Sequence, residues 1–170
     1  MERAIPWGVF VALMTTACFW RPRAMRVVVG VFFVLMGLGV HGAFIATRPE
    51  GYVDFARQAL LPSYADLAEA VVVGLSPVVF GILMLVFEVT LGVLMLSRGK
   101  RVHAGLLLGT GFLVAITPLG VEVLPNALLA IGLWRLTRIP YAVSAVDELR
   151  AWRAARHQRR ARASQATQDA

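Results

Sequence analysis

The sequence predicts an all-α fold, a polytopic transmembrane helix bundle with four core helices and a short N-terminal fifth. Hydrophobic residues make up 58% of the chain and charged residues 16%, compared with roughly 45–50% and about 25% in soluble proteins. The apolar residues form continuous blocks, some of them about 20 residues long, which a helix needs to cross the hydrocarbon core of a bilayer. Lys and Arg in the intervening segments alternate from side to side, as the positive-inside rule requires.

The first three apolar blocks predict one short helix and two full-length helices. The block 5–20 would be about 24 Å long as a helix; it is predicted to be a short additional span, with an interfacial helix as the alternative. Arg3 precedes it and the basic stretch 21–26 follows it, a pattern that does not fit a cleaved signal peptide. The blocks 27–47 and 77–97 contain no internal proline and are long enough to span.

The last two blocks, 102–119 and 123–137, predict a tight helical hairpin. Pro118 prevents the first of these helices from continuing, and Pro125 suits the first turn of the second. All five predicted spans belong to one bundle domain over residues 1–140.

The segments 50–76 and 141–170 are predicted to lie outside the spans. Aromatic residues at helical spacing in 50–76 predict short amphipathic helices at the outer interface; the alternative is a helical cap over the bundle. In the basic cytoplasmic tail 141–170, Val146, Leu149 and Trp152 recur at three-residue steps among arginines. This pattern predicts a basic amphipathic helix on the anionic cytoplasmic leaflet, the alternative being a solvated, frayed terminus.

The distribution of charge predicts the orientation. The stretches 21–26 and 98–103 and the C-terminal tail are basic, which places them in the cytoplasm. The segment 48–76 and the turn around Glu122 are acidic and are expected to face outward. Since the chain is rich in Arg, Ala, Val and Gly, we expect a bacterial source. The predicted localisation is therefore the bacterial cytoplasmic (inner) membrane, multi-pass, with a cytoplasmic C-terminus.

Motifs of the common catalytic and metal-binding classes are missing from the sequence. It contains no HExxH, no paired-cysteine pattern, no phosphate-binding glycine loop and no GxSxG, so no catalytic residue and no metal ligand is predicted. Cys18 stands alone inside an apolar block and is interpreted as a packing residue. The arginines flank apolar segments, which favours anionic lipid headgroups over nucleic acid as their partner.

Glu88 is the most informative residue, because it lies near the middle of the block 77–97 and a charge at that depth is costly without a partner. Arg135 lies about 16 Å down the last helix from Leu124, and Glu88 lies about 16 Å down its helix from Pro77. The two groups are therefore predicted to pair. Two interpretations of Glu88 stay open: it fixes helix register, or it lines a ligand or proton site. Arg135 would otherwise snorkel to the membrane surface.

Three more polar residues join Glu88 and Arg135 in the candidate ligand-binding site. His41 is predicted in the outer half of the membrane, at a depth similar to that of Thr117. Asn126 is predicted at the outer mouth of the bundle. For His41, the alternative is a hydrogen-bonded interior residue that binds no ligand.

Glycines in the second and fourth blocks predict close helix packing, because small residues let transmembrane backbones approach each other. Gly105 and Gly109 have the spacing that favours such contacts. The full set is Gly37, Gly39, Gly42, Gly105, Gly109 and Gly111.

Two stretches of the chain carry a family resemblance. They read Arg26-x-x-x-Gly30-x-Phe32-Phe33-x-x-x-Gly37, with His41 just beyond, and Phe87-Glu88-x-x-x-Gly92-x-Leu94-Met95-Leu96-Ser97-Arg98-Gly99-Lys100-Arg101-x-x-Ala104-Gly105-Leu106. In these motifs, over residues 26–136, the chain resembles the DoxX-like family of small bacterial membrane proteins. The resemblance implies a four-helix membrane bundle in which Arg26 and Glu88 match the polar pattern. It also implies a link to quinones, since some members look like subunits of quinone-linked sulfur-oxidising systems.

The leading functional prediction is a non-catalytic membrane subunit or scaffold whose interior polar site near Glu88 binds a quinone or a lipid. The alternatives are a proton-coupled small-molecule carrier and the membrane subunit of a quinone-linked oxidoreductase, so an enzymatic role stays open. No cofactor other than a quinone is expected. The expected partners are membrane lipids, a second copy of the chain, or a membrane or soluble redox protein, and not nucleic acid.

Overall fold

The computed structural model describes residues 4–151 and 154, and this part of the chain is helical with no β-strand. Its helices are α1 (Ala4–Trp20), α2 (Pro22–Leu35), α3 (Gly42–Thr47), α4 (Gly51–Arg57), α5 (Pro62–Leu75), α6 (Pro77–Leu96), α7 (Lys100–Ile116), α8 (Asn126–Leu136) and α9 (145–151). A π-helical turn, Met36–His41, joins α2 to α3, and two 3₁₀ turns, Thr117–Leu119 and Val121–Val123, join α7 to α8. The predicted all-α fold is confirmed.

Within the part of the chain that the structure describes, three helical stretches are long and apolar enough to cross a membrane: Pro22–Thr47, Pro77–Leu96 and Lys100–Leu119. These correspond to the second, third and fourth apolar blocks. The first block forms a shorter apolar helix, α1, and the fifth forms the short helix α8. The membrane character predicted from the sequence is therefore supported by the length and composition of three helices.

The helices α2 and α6 form a closely packed antiparallel pair at the centre of the fold. Near one end Arg26 bonds to Ser97, and towards the other Gly37 packs on Glu88. We call the end that carries Arg26, Ser97 and Tyr141 the basic end, and the opposite end, at Pro77, the α4 end. Helix α7 packs on α6, α8 packs on α7, and α1 packs on α8. Together these helices enclose a core that includes Val29, Phe33, Leu91, Met95, Leu106, Leu129 and Leu133.

The first connection differs from the prediction, which treated 21–26 as a loop. The chain turns at Arg21 alone, because α1 ends at Trp20 and α2 begins at Pro22. Proline fits a first helical turn, where its missing N–H would have no partner. Arg26 therefore lies within a helix and is buried.

The packing prediction for the glycines is confirmed for half of them. A Cβ on Gly37, Gly105 or Gly109 would come within 3.0 Å of a neighbouring atom, whereas nothing lies within 4 Å of the same position on Gly39, Gly42 or Gly111. For those three the prediction was wrong. The spacing of small residues identifies candidate contacts, but the facing helix decides which of them are made.

The segment 50–76 folds as the helices α4 and α5, which lie against the α4 end of the bundle. The backbone N–H of Leu60 donates to the carbonyl of Pro118, and the hydroxyl of Tyr64 donates to the carbonyl of Ala115. Arg57 bonds to Glu69 and holds the pKa of that carboxyl below its usual range. These contacts join the two short helices to each other and to the end of α7.

The segment predicted as a basic tail begins packed on the bundle. Tyr141 and Ala145 are buried, and the N–H of Gly99 donates to the carbonyl of Tyr141 at 2.7 Å. The helix α9 begins at Ala145. Trp152, Arg153 and residues 155–170, which belong to the predicted amphipathic tail, lie outside the described residues.

Candidate functional site

Glu88 lies inside the bundle, on the face of α6 that meets α2. Only 5% of its surface is exposed. The approach of α2 is close here because Gly37 has no side chain: a Cβ on Gly37 would lie 3.3 Å from the Cβ of Glu88 and 3.0 Å from the carbonyl oxygen of Leu85. A carboxylate in such a place needs polar partners.

The partner that the structure supplies is His41, at the end of the π-helical turn. The Nε2 atom of His41 lies 3.4 Å from Oε2 of Glu88. This is an ion-pair distance, but the contact is not aligned as a hydrogen bond, and among the described residues Oε2 of Glu88 has no hydrogen-bond partner. Isolated π-helical turns within α-helices occur frequently at functional sites.

Tyr52 extends the contact into a chain of three polar groups. Its hydroxyl lies 2.8 Å from Nδ1 of His41, and its buried ring stacks on the imidazole at 5.7 Å between centroids. Burial and, secondarily, the charge of Glu88 raise the pKa of Tyr52 to about 12. Tyr52 therefore keeps its proton and can donate to Nδ1, which leaves the N–H of Nε2 facing Glu88.

Tyr52 reaches this position because its ring lies over Gly81 of α6, which has no side chain. A Cβ on Gly81 would lie 2.7 Å from the ring of Tyr52, and the ring also meets Phe80 and Phe44 at 5.4 Å. The aromatic residues of 50–76 were predicted to lie at the outer interface, and the contact of Tyr52 with His41 was missed. The sequence did hold one signal of a close contact here, which is the glycine Gly81 inside an otherwise bulky apolar helix.

The predicted pair between Glu88 and Arg135 is not formed among the described residues. Arg135 lies in the last turn of α8. Leu133, just before it, shares the space around Gly109 with Met95, which lies about 10 Å beyond Glu88 along α6. The predicted pair required the last helix to start at the same height as α6. Instead α8 is short, Asn126–Leu136, and because its Leu133 is level with Met95, it starts closer to the basic end than α6 does.

Thr117 and Asn126 have partners away from Glu88. The hydroxyl of Thr117 donates to the carbonyl of Leu113, in the last turn of α7, at 2.7 Å. The buried side chain of Asn126 accepts a hydrogen bond from Nε1 of Trp7 at 3.2 Å and so joins α8 to α1. Of the five predicted site residues, the structure brings together Glu88 and His41.

Arg26 forms a second polar centre, at the basic end. Its side chain is 0% exposed, and its Nη1 donates to the carbonyls of Ser97 and Val143, both at 3.2 Å. Its Nη2 lies 3.1 Å from Oε2 of Glu148, and its guanidinium lies 4.7 Å from the ring centroid of Tyr141. Burial raises the pKa of Tyr141 to about 12, so this ring stays neutral and presents a favourable face to the cation.

The chemistry available at Glu88 is hydrogen bonding and proton exchange. Among residues 4–151 and 154, no group of three or more His, Cys, Asp and Glu side chains could hold a metal ion. Comparisons with protein-family models, curated proteins and solved structures found no match. The resemblance to the DoxX-like family therefore stays a prediction, carried by the motifs around Arg26 and Glu88.

Proposed function

We propose that this chain is a DoxX-like, non-catalytic membrane subunit or scaffold whose Tyr52–His41–Glu88 chain binds the polar head of a quinone or lipid. The observation that carries the proposal is the free Oε2 of Glu88. Among the described residues this buried oxygen has no hydrogen-bond partner, and an unsatisfied buried acceptor is costly. A ligand hydroxyl that donates to Oε2 would remove that cost.

A quinone or its quinol suits this arrangement of groups. A carboxylate accepts a hydrogen bond from a quinol hydroxyl, and a protonated carboxyl donates one to a quinone carbonyl. The side chain of His41 is 17% exposed, so the chain of groups can be reached beside this residue. Leu38 and Val40, exposed apolar residues of the same π-helical turn as His41, offer a surface for a hydrophobic tail.

A binding assay with conservative variants tests this site. In detergent, the reduced form (quinol) of a short-chain ubiquinone, which carries the donating hydroxyl, should bind saturably when titrated by calorimetry under an inert atmosphere. We expect Glu88→Gln to weaken binding about tenfold, equivalent to about 1.4 kcal/mol, because the amide keeps the shape and loses the charge. Glu122→Gln is the matched control, since Glu122 is exposed on the turn before α8 and its loss should leave binding unchanged.

Two results would contradict the proposed site. One is equal binding by the wild type, Glu88→Gln and Glu88→Leu. The other is an absence of saturable binding for the quinol and for phospholipid alike. Phospholipid bound in place of the quinol, with the same dependence on Glu88, supports the proposal and identifies the ligand class.

A proton-coupled carrier is the second candidate. It is favoured by the unbroken series of polar side chains that runs from Tyr52 in α4 through His41 to Glu88 in the middle of α6. Uptake of a solute into proteoliposomes driven by a pH gradient, and lost in Glu88→Gln, would favour the carrier. Co-purification with a soluble redox protein would favour the third candidate, the membrane subunit of a quinone-linked oxidoreductase.

The proposed orientation places the basic end in the bacterial cytoplasm and α4 outside the inner membrane. It rests on the basic stretches 21–26 and 98–103 and the positive-inside rule. Single cysteines in a Cys18→Ala background test it in intact cells. An impermeant maleimide should label Asp54→Cys and not Lys100→Cys, because Asp54 is exposed in α4 and Lys100 begins α7 at the opposite end. The reverse pattern would overturn the orientation.

A further inference from the structure

The guanidinium of Arg26 has unused hydrogen-bonding capacity. Its Nε and Nη2 atoms are buried and have no aligned acceptor among the described residues. Nη2 approaches Oε2 of Glu148 to 3.1 Å, so it has a nearby counter-charge without a well-formed hydrogen bond. Buried cations in proteins are normally both paired and hydrogen-bonded, and Arg26 meets only the first condition fully.

A pocket of about 440 Å³ is lined by Tyr141, Val143 and Glu148, the same residues that contact Arg26, while Arg26 itself does not line it. Glu148 forms part of the pocket wall, and its side chain is 28% exposed. The Glu148 carboxylate therefore lies between the pocket and Nη2 of Arg26, at the place where an anion entering the pocket would meet the guanidinium. The other wall residues include Arg23, Pro140, Tyr141, Val143 and Ala151.

We propose that this pocket is a binding site for the phosphate of an anionic phospholipid, with Arg26 as its buried anchor and Arg23 at its rim. Glu148 occupies the anion position when the site is free of lipid, and the lipid phosphate displaces it. A phosphate has more acceptor oxygens than a single carboxylate, so it can satisfy the donors that Glu148 leaves unmatched. The site is separate from Tyr52, His41 and Glu88, and the inference does not depend on the ligand proposed there.

The surroundings favour a lipid over free phosphate. A second pocket of about 550 Å³ adjoins the first through Arg23 and Pro140, and its remaining wall is formed by Arg21, Pro22, Ala24 and Ile139. Apart from the two arginines, the wall residues of this second pocket are apolar, which suits an acyl chain or glycerol backbone next to the phosphate. Trp20, beside this pocket in sequence, is highly exposed, as expected for a residue at the membrane–water interface.

Native mass spectrometry of the full chain in detergent tests the proposal. The probes are phosphatidylglycerol, phosphatidylcholine with the same acyl chains, and glycerol phosphate. We expect phosphatidylglycerol to be retained preferentially. Glu148→Ala should tighten its binding about tenfold if Glu148 occupies the site about nine-tenths of the time, and Arg23→Gln should weaken it about fivefold.

Two matched controls separate the site from general charge effects. Asp147→Ala removes the same charge next to Glu148, from a carboxylate that Ser144 holds on the surface, and should leave lipid binding unchanged. Arg101→Gln is the corresponding control for Arg23→Gln, because Arg101 is exposed and lines neither pocket. It should leave lipid binding unchanged. None of these variants alters Arg26, so the buried anchor stays in place.

Three outcomes would overturn the proposal. The first is equal retention of phosphatidylglycerol and phosphatidylcholine. The second is an effect of Asp147→Ala as large as that of Glu148→Ala, which would make the response one of net charge alone. The third is displacement of phosphatidylglycerol by an equal concentration of glycerol phosphate, which would assign the pocket to a free phosphate compound.

Discussion

Replacing Arg26 with methionine is expected to lower the free energy of unfolding by about 3 kcal/mol, the lower end of the range of about 3–5 kcal/mol for breaking one half of a buried ion pair. The change removes two hydrogen bonds, to the carbonyls of Ser97 and Val143, and the contact with the ring of Tyr141. The lower end applies because Glu148 is partly exposed and can turn towards water. Equilibrium unfolding in mixed micelles of sodium dodecyl sulfate and a mild detergent, followed by circular dichroism, measures the loss.

The control for this prediction is Arg23→Met, which removes an exposed arginine from the same helix and should change stability by less than about 1 kcal/mol. Arg26→Lys should fall between wild type and Arg26→Met, because it keeps the charge and loses the planar guanidinium. Apolar replacements of buried ion pairs are sometimes stabilising. A variant Arg26→Met as stable as wild type would show that this cation is held for binding and not for folding.

Gly92→Ala is expected to destabilise the protein by about 1–3 kcal/mol, the usual cost of overpacking. A Cβ on Gly92 would lie 2.5 Å from both the carbonyl oxygen of Gly30 and the Cγ2 of Val34, and 3.0 Å from the backbone N of Val34. Two of these atoms belong to the backbone of α2 and cannot rotate away, so α2 and α6 must separate. Because Gly92 lies one turn from Glu88, the separation should also weaken the contact between Glu88 and His41.

Gly111→Ala is the matched control for Gly92→Ala. Gly111 also lies within an apolar helix, but nothing comes within 4 Å of its Cβ position. We expect no loss of stability there and a gain of up to about 1 kcal/mol, the difference in helix propensity between alanine and glycine. Equal losses at the two positions would contradict the close packing of α2 on α6.

Helix positions along the chain were largely predictable, because they depend on local composition. The prediction of 77–97 matches α6 to within a residue at each end, since Pro77 marks its start and the basic stretch that follows marks its end. The start of the span predicted as 27–47 was missed by five residues, from 22 to 26. Charged residues there indicated a loop, although Arg26 finds its partners far along the chain, at Ser97 and Glu148.

The partner of Glu88 could not be predicted, because residue counting estimates depth and not direction. It placed Arg135 and Glu88 at one level on the assumption that both helices start at the same height. It also placed His41 in the outer half of the membrane without assigning it a direction. The π-helical turn, the absent side chain of Gly37 and the docking of Tyr52 from α4 bring His41 to Glu88, and none of these is visible in hydropathy.

Because of the π-helical turn at Met36–His41, the contact between His41 and Glu88 depends on the number of residues in this helix. Such a turn holds one residue more than an α-helical turn, so everything beyond it is rotated by about 100° relative to a continuous α-helix. Deleting one residue between 36 and 41 would barely change the composition of the helix, yet it would turn the histidine away from Glu88. Two descendants of one ancestral chain could thus keep every polar residue and differ in whether the histidine and the glutamate meet.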